Sequence, residues 1–285
     1  MVITGVSSGL GLATAQAFLQ RGYRVFGSVR TTEHATRLRA ELGANFIPLL
    51  FDVTDAPAIA AAAAEVAQQL AGKPLRGLIN NAGIAFGGPL LHQPIEVIRQ
   101  HFEVNVLGLV QVTQAFLPLL GARPEFRGQP GRVINIGSVS GQVALPFMGA
   151  YVGTKFALEG LTATWRRELQ LFGVQMVLIG LGVTQTPIWD KGMDLEPYRD
   201  TPYHGPAQRF ASFVNRTRSK GLAPEYVAGR LVRIMETPRP KLRYSIAPDM
   251  VRSWLIPTLI PTRLFDWLLG KGMGLLPPTR KQPEL

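Results

Sequence analysis

The chain has 285 residues, 46% hydrophobic and 17% charged, with 30 Gly, 22 Pro and no Cys. That length and apolar share build a sizeable core and exclude an intrinsically disordered chain, and the lack of cysteine excludes disulfides, thiolate metal sites and a cysteine nucleophile. The formal charge is +11 and uneven: residues 1–204 carry 16 basic and 14 acidic groups, residues 205–285 carry 14 and 5.

In chain order, Val2–Thr4 reads as a short strand and Gly9–Arg21 as a helix. Arg24–Val29 is a second strand, followed by a helix over Glu33–Leu42. Asn45–Leu50 is a third strand, and the Ala-rich Ala56–Ala71 a helix. Leu75–Asn80 is a fourth strand, with helical segments at Ile95–His101 and Glu103–Leu120. Arg132–Ile136 is a fifth strand before a long helix at Ala150–Phe172. Val174–Ile179 is a sixth strand, and Arg243–Ile246 a seventh. Strands alternating with helices require crossover connections and a parallel sheet covered on both faces. The Pro- and Gly-bearing stretch 182–224 reads as a long loop with short helices, the kind of segment that serves as a lid. The uncharged stretches 104–122, 133–154 and 169–189 are interrupted by polar residues, Gly or Pro, so they read as buried core.

Four His, at 34, 92, 101 and 204, show no metal-binding spacing, so no metal site is expected. The basic residues are dispersed and accompany no nucleic-acid-binding motif, so no nucleic acid is expected as a partner. The opening Met1-Val2-Ile3-Thr4-Gly5 has no basic n-region, which points to a cytoplasmic protein.

Thr4-Gly5-Val6-Ser7-Ser8-Gly9-Leu10-Gly11 sits between the first strand and the first helix. Glycines there allow a tight turn and close approach of backbone to an anion, and the helix N-terminus faces a pyrophosphate with its unpaired N–H groups.

The spacing TGxxxGxG resembles the short-chain dehydrogenase/reductase family, and the likeness continues in order along roughly residues 1–190. Asn80-Asn81-Ala82-Gly83 follows strand four, Asn105-Val106-Leu107-Gly108 is an NVxG segment, Ser138 follows strand five, and Tyr151-Val152-Gly153-Thr154-Lys155 is a YxxxK. The resemblance, loosely to the hydroxysteroid and retinol dehydrogenase type, implies a Rossmann-type doubly wound α/β fold. Its sheet is mostly parallel and seven-stranded, with helices on both faces. The whole of 1–285 is expected to be one NAD(P)-binding domain with a lid near 186–222 and an apolar, basic extension near 247–285. Cofactor contacts are expected from Gly5, Ser7, Ser8, Gly9, Leu10, Gly11, Asn81, Ala82 and Gly83, with Asp52 and Val53 meeting the adenine. Family members that use NAD place an Asp at the end of strand two. Here the place is held by Val29, followed by Arg30, whose guanidinium would pair with a 2′-phosphate. NADP(H) is therefore expected, with NAD(H) as the alternative; a solvent-exposed strand-end Arg is the competing reading.

Tyr151 and Lys155 are four apart on one helix and share a face. A free phenol, pKa about 10, is a poor base at neutral pH, and a neighbouring ammonium lowers that pKa. In the family Ser138 holds the substrate oxygen, Lys155 also bonds the nicotinamide ribose, and Asn105 binds a water in a proton relay. A helix-interior Asn bonded to backbone is the competing reading for Asn105. Thr186 keeps its spacing from Gly182 and is expected to bond the carboxamide, a helix N-cap being the alternative, while Leu181 replaces the family's Pro.

An NADP(H)-dependent oxidoreductase acting on a small or lipophilic carbonyl/alcohol pair is expected, the lipophilic one favoured by the apolar C-terminal residues. The alternatives are a reductase of 3-oxo groups on an acidic acyl carrier and a catalytically silent nucleotide-binding regulator. The family resemblance implies a dimer or tetramer. Apolar residues near Trp254, Leu259 and Trp267, beside Arg252, Arg263 and Lys271, leave open a substrate lid, core packing or a peripheral membrane contact.

Overall fold

The structure is a computed structural model and describes residues 1–189 and 194–277, without the side chains of Trp189, Arg252 and Ser253. Its elements in chain order are β1 Val2–Ile3, α1 Gly9–Gln20, β2 Val25–Val29, α2 Thr32–Leu42, β3 Phe46–Leu50, α3 Ala56–Leu70 and β4 Gly77–Asn80. There follow α4 Ile95–Phe102, a π-helical stretch Glu103–Gly108, α5 Leu109–Leu120, β5 Arg132–Ile136, α6 Gly149–Glu168 and β6 Gln175–Leu181. The chain then forms α7 His204–Arg218, α8 Pro224–Glu236, β7 Arg243–Ile246, α9 Ile256–Leu259 and α10 Thr262–Met273.

The seven strands lie in the order β3-β2-β1-β4-β5-β6-β7, and every pairing is parallel. The chain winds outward from β1 to β3, then restarts at β4 on the other side of β1, so the direction of winding reverses between β1 and β4. That reversal opens a crevice at the carboxyl ends of the strands. The inner strands are buried on both faces, which is why Val25–Val29 and Arg132–Ile136 are buried at every position, whereas the edge strands β3 and β7 are only partly so. On one face Phe18 of α1, Leu38 of α2 and Val227 and Leu231 of α8 form the core. On the other face Ile59 and Val66 of α3 pack with Val112 and Phe116 of α5, and Leu158 of α6 meets Leu109 and Leu178. A fully buried side chain such as Phe18 or Phe116 contributes about 2–3 kcal/mol.

The elements differ from the expectation at several places, α9 and α10 among them. The two helical segments at 95–120 form one continuous helix with a π-helical stretch at its centre. By length and composition it would also suit a membrane span, yet half of its apolar window is buried, with Phe116 and Leu120 fully so. The stretch expected to be a loop with short helices contains a fifteen-residue helix, α7. Helix α8, absent from the sequence reading, covers the sheet through Val227, Leu231 and Met235, whose spacing is helical.

Candidate active site

The glycine turn leaves β1 at the crevice. Gly9 has φ +56, a conformation that L side chains rarely adopt, and a Cβ on Gly11 would lie 2.1 Å from the Gly5 carbonyl oxygen. Ser8 is the N-cap of α1, but its side chain caps none of the helix N–H groups, and no acidic residue occupies the first turn. The helix therefore turns uncompensated donors toward the cleft, as an anion site requires. The Gly5 N–H donates to Ser28 Oγ at 2.9 Å. Arg37 of α2 donates to the Ser7 carbonyl at 3.0 Å, fixing the turn from outside.

Asn81, Ala82 and Gly83 follow β4 on the other side of the crevice. Thr4 Oγ1 accepts from the backbone N–H of both Asn81 and Ala82, at 2.9 and 3.0 Å, and Asn81 Nδ2 donates to the Thr4 carbonyl at 2.9 Å. The two loops are thus sewn together across the strand reversal. His101 secures the next residues: its Nε2 accepts from the Phe86 N–H at 2.9 Å while Nδ1 meets the Val97 carbonyl at 2.7 Å. One ring nitrogen is an acceptor, so the imidazole is neutral, and burial holds its pKa below the usual value.

A cleft of about 1010 Å³ runs between these loops and the C-terminal half. Gly5, Ser7, Ser8, Gly9, Leu10, Gly11, Arg30, Asp52, Val53, Asn81, Ala82, Gly83, Ser138, Tyr151, Lys155 and Thr186 all line it. Residues from the two ends of the sequence reading are therefore brought into one continuous space. Asn105 alone of the expected site residues is not in this wall. It is buried behind Ile84, accepting from the Ile84 N–H at 2.8 Å and donating to the Ile84 carbonyl at 2.9 Å and to Thr154 Oγ1 at 3.1 Å. The π-helical stretch carries Asn105, which braces the loop after β4 against α6. Its backbone-bonded reading describes these contacts.

Arg30 lies exposed at the end of β2, with Nη1 3.9 Å from Asp52 Oδ2. Asp52 also serves as a turn residue, accepting from the Thr54 N–H and hydroxyl at 2.9 and 2.8 Å. Thr186 lies over Gly9, where a Cβ would sit 3.3 Å from the Thr186 Cβ. Leu181, in place of the family's Pro, extends β6 by pairing with Ile246 of β7.

Ser138 follows β5, and its Oγ accepts from the Ser140 N–H at 3.0 Å while its hydroxyl hydrogen-bonds the Tyr151 phenol. Tyr151 and Lys155 project from the first half of α6, and both are buried. Lys155 Nζ donates to the Ile136 carbonyl at 2.9 Å and stands 5.5 Å from the centre of the Tyr151 ring. Burial lowers the Lys155 pKa to about 8. Burial also raises the Tyr151 phenol, with a hydrogen bond from Ser138 opposing it. This corrects the expected net lowering of the phenol by the ammonium. Both groups are buried, desolvation disfavours each charged form, and the ammonium is directed to a backbone carbonyl.

The residues present fit a dinucleotide: a glycine cradle that a Cβ would fill, a bare helix N-terminus, and a cation at the far end of the same cleft. The short chain dehydrogenase family model matches residues 1–195. The chain belongs to the short-chain dehydrogenase family. It is thus an NAD(P)-dependent oxidoreductase that interconverts an alcohol and a carbonyl. The NADPH-dependent 3-dehydrocapnine reductase of Ornithobacterium rhinotracheale is 40% identical over 96% of this chain and 97% of its own. The 17-beta-hydroxysteroid dehydrogenase type 6 of Bos taurus is 31% identical over 95% of this chain and 87% of its own. A solved short-chain dehydrogenase from Streptomyces avermitilis superposes with a TM-score of 0.77 at 27% identity, covering 97% of both chains.

Sequence reasoning did not single out Thr4, Arg37, His101 or Thr154, which hold the loops and Asn105 in place. Thr4 and Thr154 were within reach, since each lies inside a recognised motif. Arg37 and His101 carry no local signal, because their partners stand 30 and 15 residues away.

Proposed function

We propose that this short-chain dehydrogenase is an NADP(H)-dependent reductase of a lipophilic ketone, with Tyr151 as the proton donor. The observation that carries the reading is the joining of Ser138, Tyr151 and Lys155 to the glycine turn and Arg30 in one cleft. The wall beyond Tyr151 is apolar, built from Leu145, Met148, Ile188, Phe210, Phe213 and Val214, and such a wall takes up a hydrophobic substrate by displacing water from it. The NADPH-dependent activity of the 40% identical relative and the absence of a carboxylate at Val29 agree with NADP(H).

The glycine turn and the α1 N-terminus would hold the pyrophosphate, Arg30 the 2′-phosphate, and Lys155 the ribose beside the nicotinamide. When bound, the reduced dinucleotide supplies the hydride. Ser138, already hydrogen-bonded to the phenol, would turn its Oγ–H to the substrate carbonyl oxygen and hold it there. Tyr151 delivers its proton to that oxygen as negative charge develops there. A phenol kept protonated by burial is suited to this direction, since the group must arrive carrying its proton. Lys155 lies at the Tyr151 ring and stabilises the phenolate left behind. Carbonyl, hydride and proton together give the alcohol.

A panel of ketones of graded apolar size, a carrier-linked 3-oxo substrate and matched small polar ketones, read by NADPH oxidation, tests the proposal. Rising kcat/KM with apolar size is expected. Turnover of the carrier-linked substrate alone, or of none, refutes it.

A further inference from the structure

The C-terminal elements leave large apolar side chains in solvent. Leu255, Ile256 and Leu259 are exposed about α9, and Leu264, Trp267 and Leu268 on α10, with Leu259 at 72% and Trp267 at 47%. On α10 the positions 264, 267, 268 and 271 fall on one helical face. Asp266, two places from Leu264 and from Leu268, points the other way. The opposite side of α10 is what packs on the protein: Gly270 and Met273 are buried, and Met273 joins the cluster containing Phe210 and Tyr151. Six large apolar groups on two consecutive helices are more than scattered surface residues explain.

Charge says what covers them. Residues 205–285 hold a net +9 of the chain's +11, most of it between residues 205 and 248, and on α10 itself Arg263 and Lys271 stand against Asp266. Lys271 ends the α10 face with its Nζ 5.1 Å over the Trp267 ring, and exposed Arg263 begins it. An indole body with a cation at its rim suits the boundary between hydrocarbon and headgroups. An acidic protein partner would match the charge but not the row of aliphatic side chains, whereas an anionic lipid surface matches both.

We propose that the exposed apolar face of α9 and α10 docks this enzyme on an anionic bilayer. Helix α10 rests on α7, and α7 supplies Phe210, Phe213 and Val214 to the cleft wall. Docking there would set the lid of the cleft one helix away from the lipid. The surface lies outside the catalytic cleft, so its test is independent of the reading of the substrate.

Full-length protein is floated with phosphatidylcholine vesicles and with vesicles that also contain phosphatidylglycerol, at low salt and at about 0.5 M salt. Binding to the anionic vesicles, weakened by salt, is the expected result. The doubly substituted Trp267→Glu/Leu268→Glu protein is expected to lose tenfold or more of that partition, on the order of two buried apolar groups. Its turnover of a water-soluble carbonyl is expected to stay unchanged, which shows that it folds. Arg263→Gln with Lys271→Gln should reduce anionic binding about twentyfold and leave the weaker neutral binding alone. Equal partition of wild type and Trp267→Glu/Leu268→Glu overturns the proposal. So does a wild-type oligomer that this pair of substitutions dissociates while no vesicle is bound, since the face then belongs to a second copy of the chain. Vesicle binding without turnover of any carbonyl would sink the reductase reading and leave this one standing.

Discussion

Replacing Lys155 with Met probes the cost of the buried ammonium. The amine pKa falls from 10.5 to about 8 on folding because the group is stripped of water. A shift of that size corresponds to about 3 kcal/mol against the folded state at neutral pH. Methionine has a similar length and no charge, so it removes that cost. It also removes the hydrogen bond to the Ile136 carbonyl, a loss of about 1 kcal/mol. Lys155→Met should therefore be about 2 kcal/mol more stable than wild type at pH 7, although it should be inactive. Between pH 8 and 10.5 the unfolded wild type binds more protons than the folded one, so wild-type stability rises with pH across that window. Above it, the penalty is gone and Lys155→Met should be about 1 kcal/mol the less stable. Urea unfolding of both proteins without dinucleotide, from neutral to strongly alkaline pH, measures the difference, and groups common to both cancel. A stability difference that does not change with pH would refute the assignment of a desolvated, chargeable amine at this position.

Tyr151→Phe should lower kcat by about a thousandfold and leave dinucleotide affinity nearly unchanged, as a fluorescence titration beside steady-state rates would show. Arg30→Ala should weaken NADPH about tenfold or more, the value of a charge-assisted contact, with little effect on NADH. Equal losses for the two cofactors would reject the Arg30 contact. The His101 imidazole is held neutral, its folded pKa below its unfolded one, so stability should be full above about pH 6.5 and decline as pH falls through the folded value. Melting temperatures from pH 7.5 to 5 should fall less steeply in His101→Gln, and parallel slopes would show that His101 does not drive the decline.

The strand–helix alternation and the motif spacings were sufficient to read the parallel sheet and its seven strands, because a strand buried on both faces must be apolar almost throughout and crossover helices must follow it. They also single out Ser138, Tyr151, Lys155 and the glycine turn, which the fold brings to one cleft. Helix α8 is legible too, in the helical spacing of Val227, Leu231 and Met235.

Other features were decided by tertiary structure alone. Asn105 is placed behind Ile84 rather than in the cleft wall, because the π-helical stretch and the loop after β4 meet there. Arg37 reaches Ser7 and His101 reaches Phe86 through contacts that no local pattern records. The protonation balance at Tyr151 and Lys155 is of the same kind. Spacing along α6 puts a cation near a phenol, but whether each holds its charge depends on how much water the rest of the fold removes. Here burial outweighs the hydrogen bond from Ser138 at Tyr151 and by itself lowers Lys155.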